Sequence, residues 1–428
     1  MFPSAVVLSH HEQFERLAAS VPQAVPVAVL AGDPRFDRLR ASLFRRTEYR
    51  AALGVAEHQK LVVVSSSWLE QSLFGSWPAL LRQLLAELPL DEYVVAAVLH
   101  PNLWYGHSPL QVELWLADCR RAGLRLVPPQ EGWGGALIAA DLVVGDHGAT
   151  TCYAAAIGRP VALAAFPDHE VAPGTCVELL GRTAPRLNRR EPLLDQLRRA
   201  ETGLVPDWWH PIADLVSSVP DQAAALHRTL FYSLLDLPEP AGRAPVWPLS
   251  PAPLRTAAPR ETGRFQAMAV SVSGRLDPDG RISLTRYAAD TLASRPNSQP
   301  LINDPHLVVD AAHPGPDLHA CAAVVYRDWT GIRAEAWFEL AQLLAARSTR
   351  QLAAAVHQDG VVDALVRDGR RFRLSPGEHP DPLAGLSALY LWLVATAGAA
   401  TEPPDRIRVD AGYGYRAMGL TPVRPAAG

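Results

Sequence analysis

Short apolar runs alternate with helical patterns between about residue 25 and residue 166. The runs are rich in Val, Leu and Ala and are bounded by Gly, Pro or polar clusters, which is typical of strands buried on both faces of a sheet. Six strands are predicted, at Val25–Ala31, Leu61–Val64, Tyr93–Leu99, Leu124–Val127, Asp141–Val144 and Pro160–Ala165. Helices are predicted between them, at Trp77–Leu88, Pro109–Ala122, Gly134–Ala140 and Thr150–Ile157. This alternation predicts βαβ crossovers and a parallel, Rossmann-like α/β sheet.

The predicted helix Pro109–Ala122 shows the 3.6-residue period of an amphipathic helix. The period predicts that Leu110, Leu114, Trp115 and Leu116 face inward and that Asp118, Arg120 and Arg121 face outward. Gly123 and Gly158 stand where the C-caps of two of the helices are expected.

The pattern changes beyond residue 187. Amphipathic stripes predict helices at Glu191–Thr202 and Gln222–Leu237. Seven prolines between Pro238 and Arg260 then predict a semi-rigid linker over residues 237–263. The Rossmann-like domain with its trailing helices therefore covers residues 32–236.

Residues 264–428 predict a smaller α+β domain. Strand-like segments flank two turn sequences, Asp277-Pro278-Asp279-Gly280 and Asp368-Gly369, which predicts two hairpins. Helices are predicted at Ala334–Arg347 and Pro382–Ala397. No motif in this domain indicates a chemistry, so we assign it no role.

Composition narrows the classes of function. The chain has 428 residues, of which 48% are hydrophobic and 20% charged, an ordinary globular mix for two or three domains. The formal net charge of −4 argues against nucleic-acid binding. Lys60 is the only lysine and follows no Gly, which excludes the Gly-Lys-Ser/Thr phosphate loop of P-loop ATPases and GTPases.

The sequence also bears on where in the cell the protein is located. No apolar run reaches the roughly 18 residues of a membrane span, and the N-terminus lacks the basic start and small-residue cleavage site of a signal peptide. We therefore expect a cytoplasmic protein without a transmembrane segment. Six arginines between Arg35 and Arg50 leave peripheral contact with anionic lipid open, although the interspersed Asp37 and Glu48 favour a solvated helix face. The four cysteines are widely spaced with no Cys-x-x-Cys, which indicates neither a disulfide scaffold nor a zinc module.

Polar or small residues follow four of the predicted strands. Ligands of open parallel sheets bind outside the carboxyl ends of the strands, so these residues are predicted to line one rim. The candidates at the first three strand ends are Ser66, Ser67, His100 and Glu131. After the fourth strand come Asp146, His147, Gly148, Ala149, Thr150 and Thr151, which open a helix.

The segment Gly145–Thr151 is the most informative of these. Small residues at a helix start leave backbone N–H groups bare, and these groups together with the helix dipole bind phosphate. Thr150 and Thr151 would add hydroxyl donors. The alternative is an ordinary N-cap, in which Asp146 or Thr150 satisfies the first turn.

His100 and Glu131 each admit two interpretations. His100 ends a strand before a proline, where its imidazole would donate to a diphosphate or act as a general acid; a purely structural histidine is the alternative. Glu131 would accept hydrogen bonds from ribose hydroxyls, or would stabilise the N-terminus of the helix that follows.

These residues carry a family resemblance. The stretches GDPRFDRL (Gly32–Leu39), VSSSW, LHPN (Leu99–Asn102) and ADLVVGDHGATTCYAAAIGRPV (Ala140–Val161) resemble the nucleotide-binding half of a GT-B glycosyltransferase. The resemblance is nearest to the CDP-glycerol glycerophosphotransferase family of teichoic-acid polymerases and extends to UDP-N-acetylglucosamine 2-epimerases. It covers roughly residues 25–205.

The resemblance implies roles for individual residues. Gly148, Ala149, Thr150 and Thr151 would contact the diphosphate, and His100 would face the phosphates or act in catalysis. Asp33, Arg35 and Asp37 would belong to the crossing between the two halves of such an enzyme.

Two departures from the family pattern shape the functional hypotheses. His147-Gly148-Ala149 replaces the family's Tyr-Ser-Ser, which implies a different nucleotide or sugar. Only about 30 residues precede Gly32, enough for strands at Ala5–Ser9 and Val25–Ala31 with a helix at Glu12–Ala19 between them. Residues 1–31 are therefore expected to be the remnant or end of a preceding half, with the acceptor half upstream or supplied by a protein partner.

The first hypothesis is a glycosyltransferase-like or glycerophosphotransferase-like protein that binds a nucleotide-diphosphate-activated donor. The alternative is a non-catalytic nucleotide-binding or scaffold protein without an acceptor half. Neither hypothesis requires a metal or another cofactor.

Overall fold

The computed structural model describes residues 3–203, 205–257, 267–295, 305–377, 381–397 and 403–424. The chain divides into two compact units. The first comprises Met1–Leu80, Val95–Leu114 and Arg125–Ala258, and the second comprises Leu81–Val94, Trp115–Leu124 and Pro259–Gly428.

The described residues form strands and helices in the following order along the chain. The strands are β1 (Val6–Leu8), β2 (Ala28–Leu30), β3 (Lys60–Ser66), β4 (Tyr93–Leu99), β5 (Arg125–Leu126), β6 (Leu142–Gly145), β7 (Val161–Leu163), β8 (Ala269–Leu276), β9 (Arg281–Ala288), β10 (His306–Asp310), β11 (Val324–Trp329), β12 (Leu352–His357), β13 (Val362–Val366), β14 (Arg371–Ser375), β15 (Arg406–Asp410) and β16 (Arg416–Pro422). The helices are α1 (Glu12–Ser20), α2 (Pro34–Arg40), α3 (Arg46–Ala52), α4 (Leu73–Ser76), α5 (Leu80–Glu87), α6 (Pro101–His107), α7 (Pro109–Trp115), α8 (Ala117–Arg121), α9 (Trp133–Ala139), α10 (Ala149–Ala156), α11 (Cys176–Thr183), α12 (Leu193–Thr202), α13 (His210–Val216), α14 (Ala223–Leu234), α15 (Ala252–Arg255), α16 (Pro316–Cys321), α17 (Arg333–Ala345) and α18 (Pro382–Ala395).

A five-stranded parallel sheet forms the centre of the first unit, in the order β5-β4-β3-β6-β7. Every residue of β4 is buried, as is every residue of β3 after Lys60, which explains why their sequences are continuous apolar runs. In chain order the strands are arranged 3-2-1-4-5, so the chain reverses its direction of sheet growth between β3 and β6. The predicted Rossmann-like fold class is confirmed.

The N-terminal segment adds a second, smaller parallel pair. β1 pairs with β2 from Val6↔Ala28 to Leu8↔Leu30, and α1 connects them. The strand–helix–strand arrangement predicted for the first 31 residues is confirmed.

The helical prediction for residues 109–122 was wrong about which face is buried. The structure has two helices there, α7 and α8, because the backbone leaves helical geometry at Leu116. Leu110 and Leu114 are 67% and 61% exposed, whereas Leu116 is fully buried. The buried stripe runs instead through Val112, Leu116 and Cys119, at the i, i+4 and i+7 positions of a helical face.

Part of the predicted linker is packed rather than extended. Leu254 is fully buried in the first unit. The backbone oxygen of Leu249 accepts hydrogen bonds from Tyr49 Oη at 2.9 Å and Arg45 Nη1 at 3.0 Å, and its N–H donates to Ser42 Oγ at 2.9 Å. This part of the segment is therefore packed against the first unit and is not the semi-rigid linker that its prolines predicted. Residues 258–263 of the predicted linker lie outside the described residues.

The second unit contains a closed nine-stranded barrel, in the order β10-β11-β12-β13-β14-β16-β15-β9-β8. Both predicted hairpins are present: β8 pairs with β9 and β13 with β14, each antiparallel. Three other pairs are parallel, namely β10 with β11, β11 with β12, and β9 with β15.

Helix α18 occupies the interior of this barrel. It contacts β12, β13 and β14 on one side and β8, β9 and β15 on the other, and its residues 382–389 and Trp392 are all buried. The first two turns of this helix have no solvent face, which accounts for their apolar sequence, whereas Val394 in the last turn is 55% exposed. Within the described ranges, no helix is both long and apolar enough to cross a membrane.

A buried ionic cluster lies in the same unit. Arg286 is 2% exposed and donates from Nε to Asp91 Oδ2 at 2.8 Å and from Nη2 to Asp381 Oδ2 at 2.7 Å. The two carboxylates raise the pKa of the guanidinium against the lowering effect of burial. The guanidinium therefore remains charged within the fold, whereas burial raises the pKa of Asp381.

Candidate functional site

Asp146 joins the strand ends at the point where the sheet reverses direction. Its carboxylate is fully buried; Oδ2 accepts from Ser67 N at 2.8 Å, Ser67 Oγ at 2.8 Å and Leu73 N at 2.9 Å, while Oδ1 accepts from Gly148 N at 2.9 Å. Four donors saturate the two oxygens. Asp146 and Ser67 therefore shape the rim, and their mutual bonds leave the Asp146 carboxylate no capacity for a ligand.

Thr151 does not face the rim. It is fully buried beneath Gly145, where a Cβ atom would lie only 2.3 Å from Thr151 Oγ1. The implied contact of its hydroxyl with a diphosphate stays a prediction; in this structure the first turn of α10 packs directly against the end of β6, and Thr151 Oγ1 is buried with no hydrogen-bond partner among the described residues. Gly145 is required by this close approach.

The first turn of α10 is open. Gly148 is the N-cap residue, and its own N–H is taken by Asp146. Within the described residues no side chain accepts a hydrogen bond from the backbone N–H groups of Ala149 or Thr150. The N-cap alternative is therefore not what the fold adopts, since neither Asp146 nor Thr150 caps these amides. Ala149 is exposed.

His147 and Gly148 support this turn. A Cβ atom on Gly148 would stand 3.0 Å from Asp146 Oδ1 and 3.4 Å from Ser67 Cβ, so a side chain there would press on the buried carboxylate. His147 Nδ1 is buried and has no hydrogen-bond partner among the described residues. It is a polar atom for which the described fold provides no acceptor or donor.

His100 lies at the neighbouring strand end. Its backbone N–H donates to Ser66 O at 3.0 Å, and its ring stacks on Trp68 with the centroids 6.2 Å apart. It is also the N-cap of α6, because Nδ1 accepts from Asn102 N at 3.1 Å. An imidazole that accepts at Nδ1 carries its proton on Nε2, so this nitrogen is the one that donates to a ligand.

Ser66 is used internally. Its buried hydroxyl donates to Ser67 O at 3.0 Å and accepts from Phe74 N at 2.9 Å. The prediction that Ser66 binds a ligand is not favoured by this geometry, because both functions of the hydroxyl hold the loop after β3.

Two cavities open beside these elements, both within the first unit. The first, which we call the α1–α10 cavity, has a volume of about 310 Å³; Glu12, Arg16, His147, Ala149, Tyr153 and Cys176 are among the residues that line it. The second, the α2–α9 cavity, has a volume of about 360 Å³ and is lined in part by Arg35, Arg38, Gln130, Glu131, Gly132 and Trp133.

An aromatic pair connects the two cavities. Trp133 of the α2–α9 cavity stacks on Tyr153 of the α1–α10 cavity, with ring centroids 5.7 Å apart. Tyr153 Oη donates to Asp33 Oδ2 at 2.6 Å, and Asp33 Oδ1 caps α2 through Arg35 N at 2.8 Å and Phe36 N at 3.1 Å. Burial, with Asp33 nearby, raises the pKa of Tyr153, which keeps the hydroxyl protonated as a donor.

The structure therefore places some of the predicted site residues in different cavities and others in neither. Glu131 is exposed and lines the α2–α9 cavity, whereas His147 and Ala149 line the other. Asp37 is buried in α2 and accepts from Asp221 N at 2.7 Å and Ala223 N at 2.8 Å, and burial raises its pKa. Asp37 thus ties α2 to the turn before α14 and faces neither cavity.

Sequence reasoning did not single out Trp133, Tyr153 or Arg38 as site residues. Trp133 and Tyr153 lie two positions beyond the candidates Glu131 and Thr151 respectively. An aromatic in the first or second turn of a helix gives no signal that distinguishes a ligand contact from packing.

The sequence matches no family profile and no curated protein. Solved structures give distant matches. The wall teichoic acid polymerase TagF is 14% identical over 54% of this chain and 58% of that chain, with a TM-score of 0.38. The UDP-GlcNAc 2-epimerase from Neisseria meningitidis is 13% identical over 54% and 61% (TM-score 0.33), and HepE from Anabaena is 16% identical over 55% and 64% (TM-score 0.31). The chain spans less than two thirds of each of these chains, and the fold assignment rests on strand order alone.

Proposed function

We propose that the first unit binds a nucleoside-diphosphate-activated donor of the glycosyltransferase or glycerophosphotransferase type. Its diphosphate would lie at the N-terminus of α10. The observation that carries the proposal is the open first turn of this helix at the point where the sheet reverses. In open α/β sheets this crevice is where ligands bind, and bare helix amides there favour an anion.

Three polar groups support an anion at this position. The N–H groups of Ala149 and Thr150 have no side-chain acceptor among the described residues, and His147 Nδ1 is likewise unpartnered there. The loop before α10 and the His100 corner both contact the end of β3, through Ser67 and Ser66 respectively. Because Ser66 and Ser67 are adjacent, His100 and the start of α10 lie at neighbouring strand ends, and we propose that the Nε2–H of His100 reaches the diphosphate.

The charges of the cavities suggest how the donor is oriented. Arg35 and Arg38 outnumber Glu131 in the α2–α9 cavity, where Trp133 offers a flat surface for a nucleobase. In the α1–α10 cavity, Arg16 is paired with Glu12 at 2.7 Å, and Asp33 adds a further carboxylate. We therefore place the nucleoside in the α2–α9 cavity and the hydroxyl-rich sugar or glycerol moiety of the donor in the α1–α10 cavity, where carboxylates accept hydrogen bonds.

Transfer from a nucleotide sugar would break the bond between the sugar and the diphosphate and release a nucleoside diphosphate, whereas transfer of glycerophosphate from CDP-glycerol would break the P–O–P bond and release CMP. In both cases charge develops on the leaving phosphate group, which the helix amides with His100 Nε2–H would stabilise. A protein that binds the donor without this transfer is the alternative function.

Isothermal titration calorimetry with CDP, UDP, GDP and their sugar or glycerol conjugates tests the proposal. The decisive variant is Ala149→Glu, which adds a carboxylate to the first turn of α10. An acidic residue there suits the helix dipole, so the free energy of unfolding should stay within about 0.5 kcal/mol of wild type. Binding should weaken at least tenfold, because the new charge repels the diphosphate.

Ala334→Glu is the matched control. Ala334 is exposed in the first turn of α17, in the second unit, and the same substitution there should leave binding unchanged. Absence of heat with every nucleotide, or equal binding by both variants, would remove the binding proposal. Release of nucleoside diphosphate from a sugar conjugate, or of CMP from CDP-glycerol, would identify a transferase, whereas binding without release would favour the non-catalytic alternative.

A further inference from the structure

Two thiols from neighbouring helices line the α1–α10 cavity together. Cys152 lies in the second half of the first turn of α10 and is buried, and Cys176 is the first residue of α11 and is half-buried. Both line the cavity, on helices that pack against each other, and each thiol is the main cause of the shift in the other's pKa. Because 24 residues separate them, their spacing in the sequence gave no indication of a pair.

The N-terminus of α11 is built rigidly around Cys176. Thr175 Oγ1, the N-cap hydroxyl, accepts from Glu178 N at 3.2 Å, and Glu178 Oε2 accepts from Gly174 N, the residue before the N-cap, at 2.9 Å. The helix therefore presents the sulfur of Cys176 at its positive end, close to the backbone N–H groups of Cys176 and Val177.

The two thiols differ in acidity. The hydrogen bond from Cys152 lowers the pKa of Cys176, and the backbone N–H groups act in the same direction, although burial and the Glu12 carboxylate oppose them. The same hydrogen bond, together with burial, raises the pKa of Cys152. Cys176 is thus the thiol that ionises first, and it is also the more exposed of the two.

We propose that Cys152 and Cys176 form a redox site that closes reversibly into a disulfide bond across α10 and α11, with a small disulfide such as oxidised glutathione as the oxidant. The Cys176 thiolate attacks one sulfur of oxidised glutathione, forms a mixed disulfide and releases one glutathione thiolate. The Cys152 thiol then loses its proton, attacks the Cys176 sulfur and releases the second glutathione. The protein loses two electrons and two protons, and the glutathione disulfide gains them.

The other two cysteines lack this setting. Burial raises the pKa of Cys119 to about 12, which keeps its thiol protonated and unreactive. Cys321 is exposed in the second unit, and neither residue lines the cavity. The proposal is independent of nucleotide binding, because it requires only the two thiols and access to the cavity.

Thiol counting on the full chain tests the proposal, in a Cys321→Ser background that prevents disulfides between molecules. The protein is equilibrated with excess oxidised glutathione, denatured, alkylated and weighed. We expect one alkylated thiol, on Cys119, and a peptide pair linked through Cys152 and Cys176. Three alkylated thiols, or a bond that includes Cys119, would overturn the proposal.

Two variants test the order of the steps. Cys152→Ala should stop at a stable mixed disulfide of glutathione on Cys176, whereas Cys176→Ser should acquire neither glutathione nor a disulfide. The reverse pattern would contradict the assigned roles.

A probe of the unaltered thiol pair needs no substitution in the cavity. Phenylarsine oxide condenses with two adjacent thiols and releases water. The sample is the native protein without nucleotide. We expect one phenylarsine adduct per chain and two thiols protected from alkylation. Absence of the adduct would show that the sulfurs do not meet in solution.

Discussion

Asp146 offers the sharpest test of how the rim is held together. Substitution by Asn keeps the size of the side chain but replaces one oxygen by an NH2 group. The remaining oxygen does best in the place of Oδ2, where it accepts three of the four hydrogen bonds from Ser67 and Leu73. The NH2 group then faces the N–H of Gly148, and two donors oppose each other.

The magnitude follows from these contacts. A hydrogen bond to a charged group contributes roughly 1.5–3 kcal/mol, and a buried donor left unpaired costs roughly 1–3 kcal/mol. Asp146→Asn loses one such bond and weakens the other three, so we expect a loss of about 3 kcal/mol in the free energy of unfolding. Asp146→Ala leaves three backbone N–H groups and the Ser67 hydroxyl without this acceptor and should cost about 5 kcal/mol.

Urea unfolding followed by circular dichroism measures both values. Asp168→Asn is the control, because Asp168 is exposed and pairs with Arg186 at 2.6 Å on the surface. A solvent-exposed pair of this kind contributes little to stability, because water and salt screen it. If Asp146→Asn were no more destabilising than Asp168→Asn, the four hydrogen bonds would not be what holds the strand ends, and the reasoning would fail.

Three further predictions concern stability. Gly145→Ala should cost about 1–3 kcal/mol in urea unfolding because its Cβ would overlap Thr151, and Thr151→Ala in the same chain should restore part of the loss. Arg286→Met should cost about 3–5 kcal/mol by the same assay, since it leaves two buried carboxylates without a cation. Burial lowers the pKa of His306 to about 4, so the unfolded chain binds its proton first as the pH falls. Stability should drop by about 3 kcal/mol between pH 6.5 and pH 4, and His306→Phe should abolish that part of the pH dependence.

The parallel sheet and the ends of its helices could be predicted largely from local sequence. β4 has the predicted bounds, Tyr93–Leu99, because a strand buried on both faces is apolar at every position. The turn glycines Gly123 and Gly158 have φ values of +101° and +77°, as expected of C-caps. These features depend on residues close together in the chain, and the sequence records them directly.

The barrel could not be predicted in the same way. Its two hairpins have turn signals, but the parallel pairing of β9 with β15 joins residues more than a hundred positions apart. No local pattern encodes such a partner. The exposure of Leu110 and Leu114 was mispredicted for a related reason, because periodicity identifies an apolar stripe without showing which stripe has a partner to cover it.

The position of the candidate site could be predicted from the sequence, but the roles of its residues could be predicted only in part. The strand-end rule located His100, Ser67 and the start of α10 beside one another, as the structure has them. It could not assign Asp146 to bracing the rim or Thr151 to the interior, because both depend on how closely α10 approaches β6. The pairing of Cys152 with Cys176 could not be predicted either, because it also depends on how the helices pack.

The helix inside the barrel restricts what the second unit can recognise. Many β-barrels of this size bind a small ligand in their interior, but here α18 already fills that interior. A molecule that this unit recognises has to be held on the outer wall or at the mouths of the barrel, by loops and strand edges. Searches for its role should therefore begin with surfaces suited to other macromolecules rather than with enclosed small compounds.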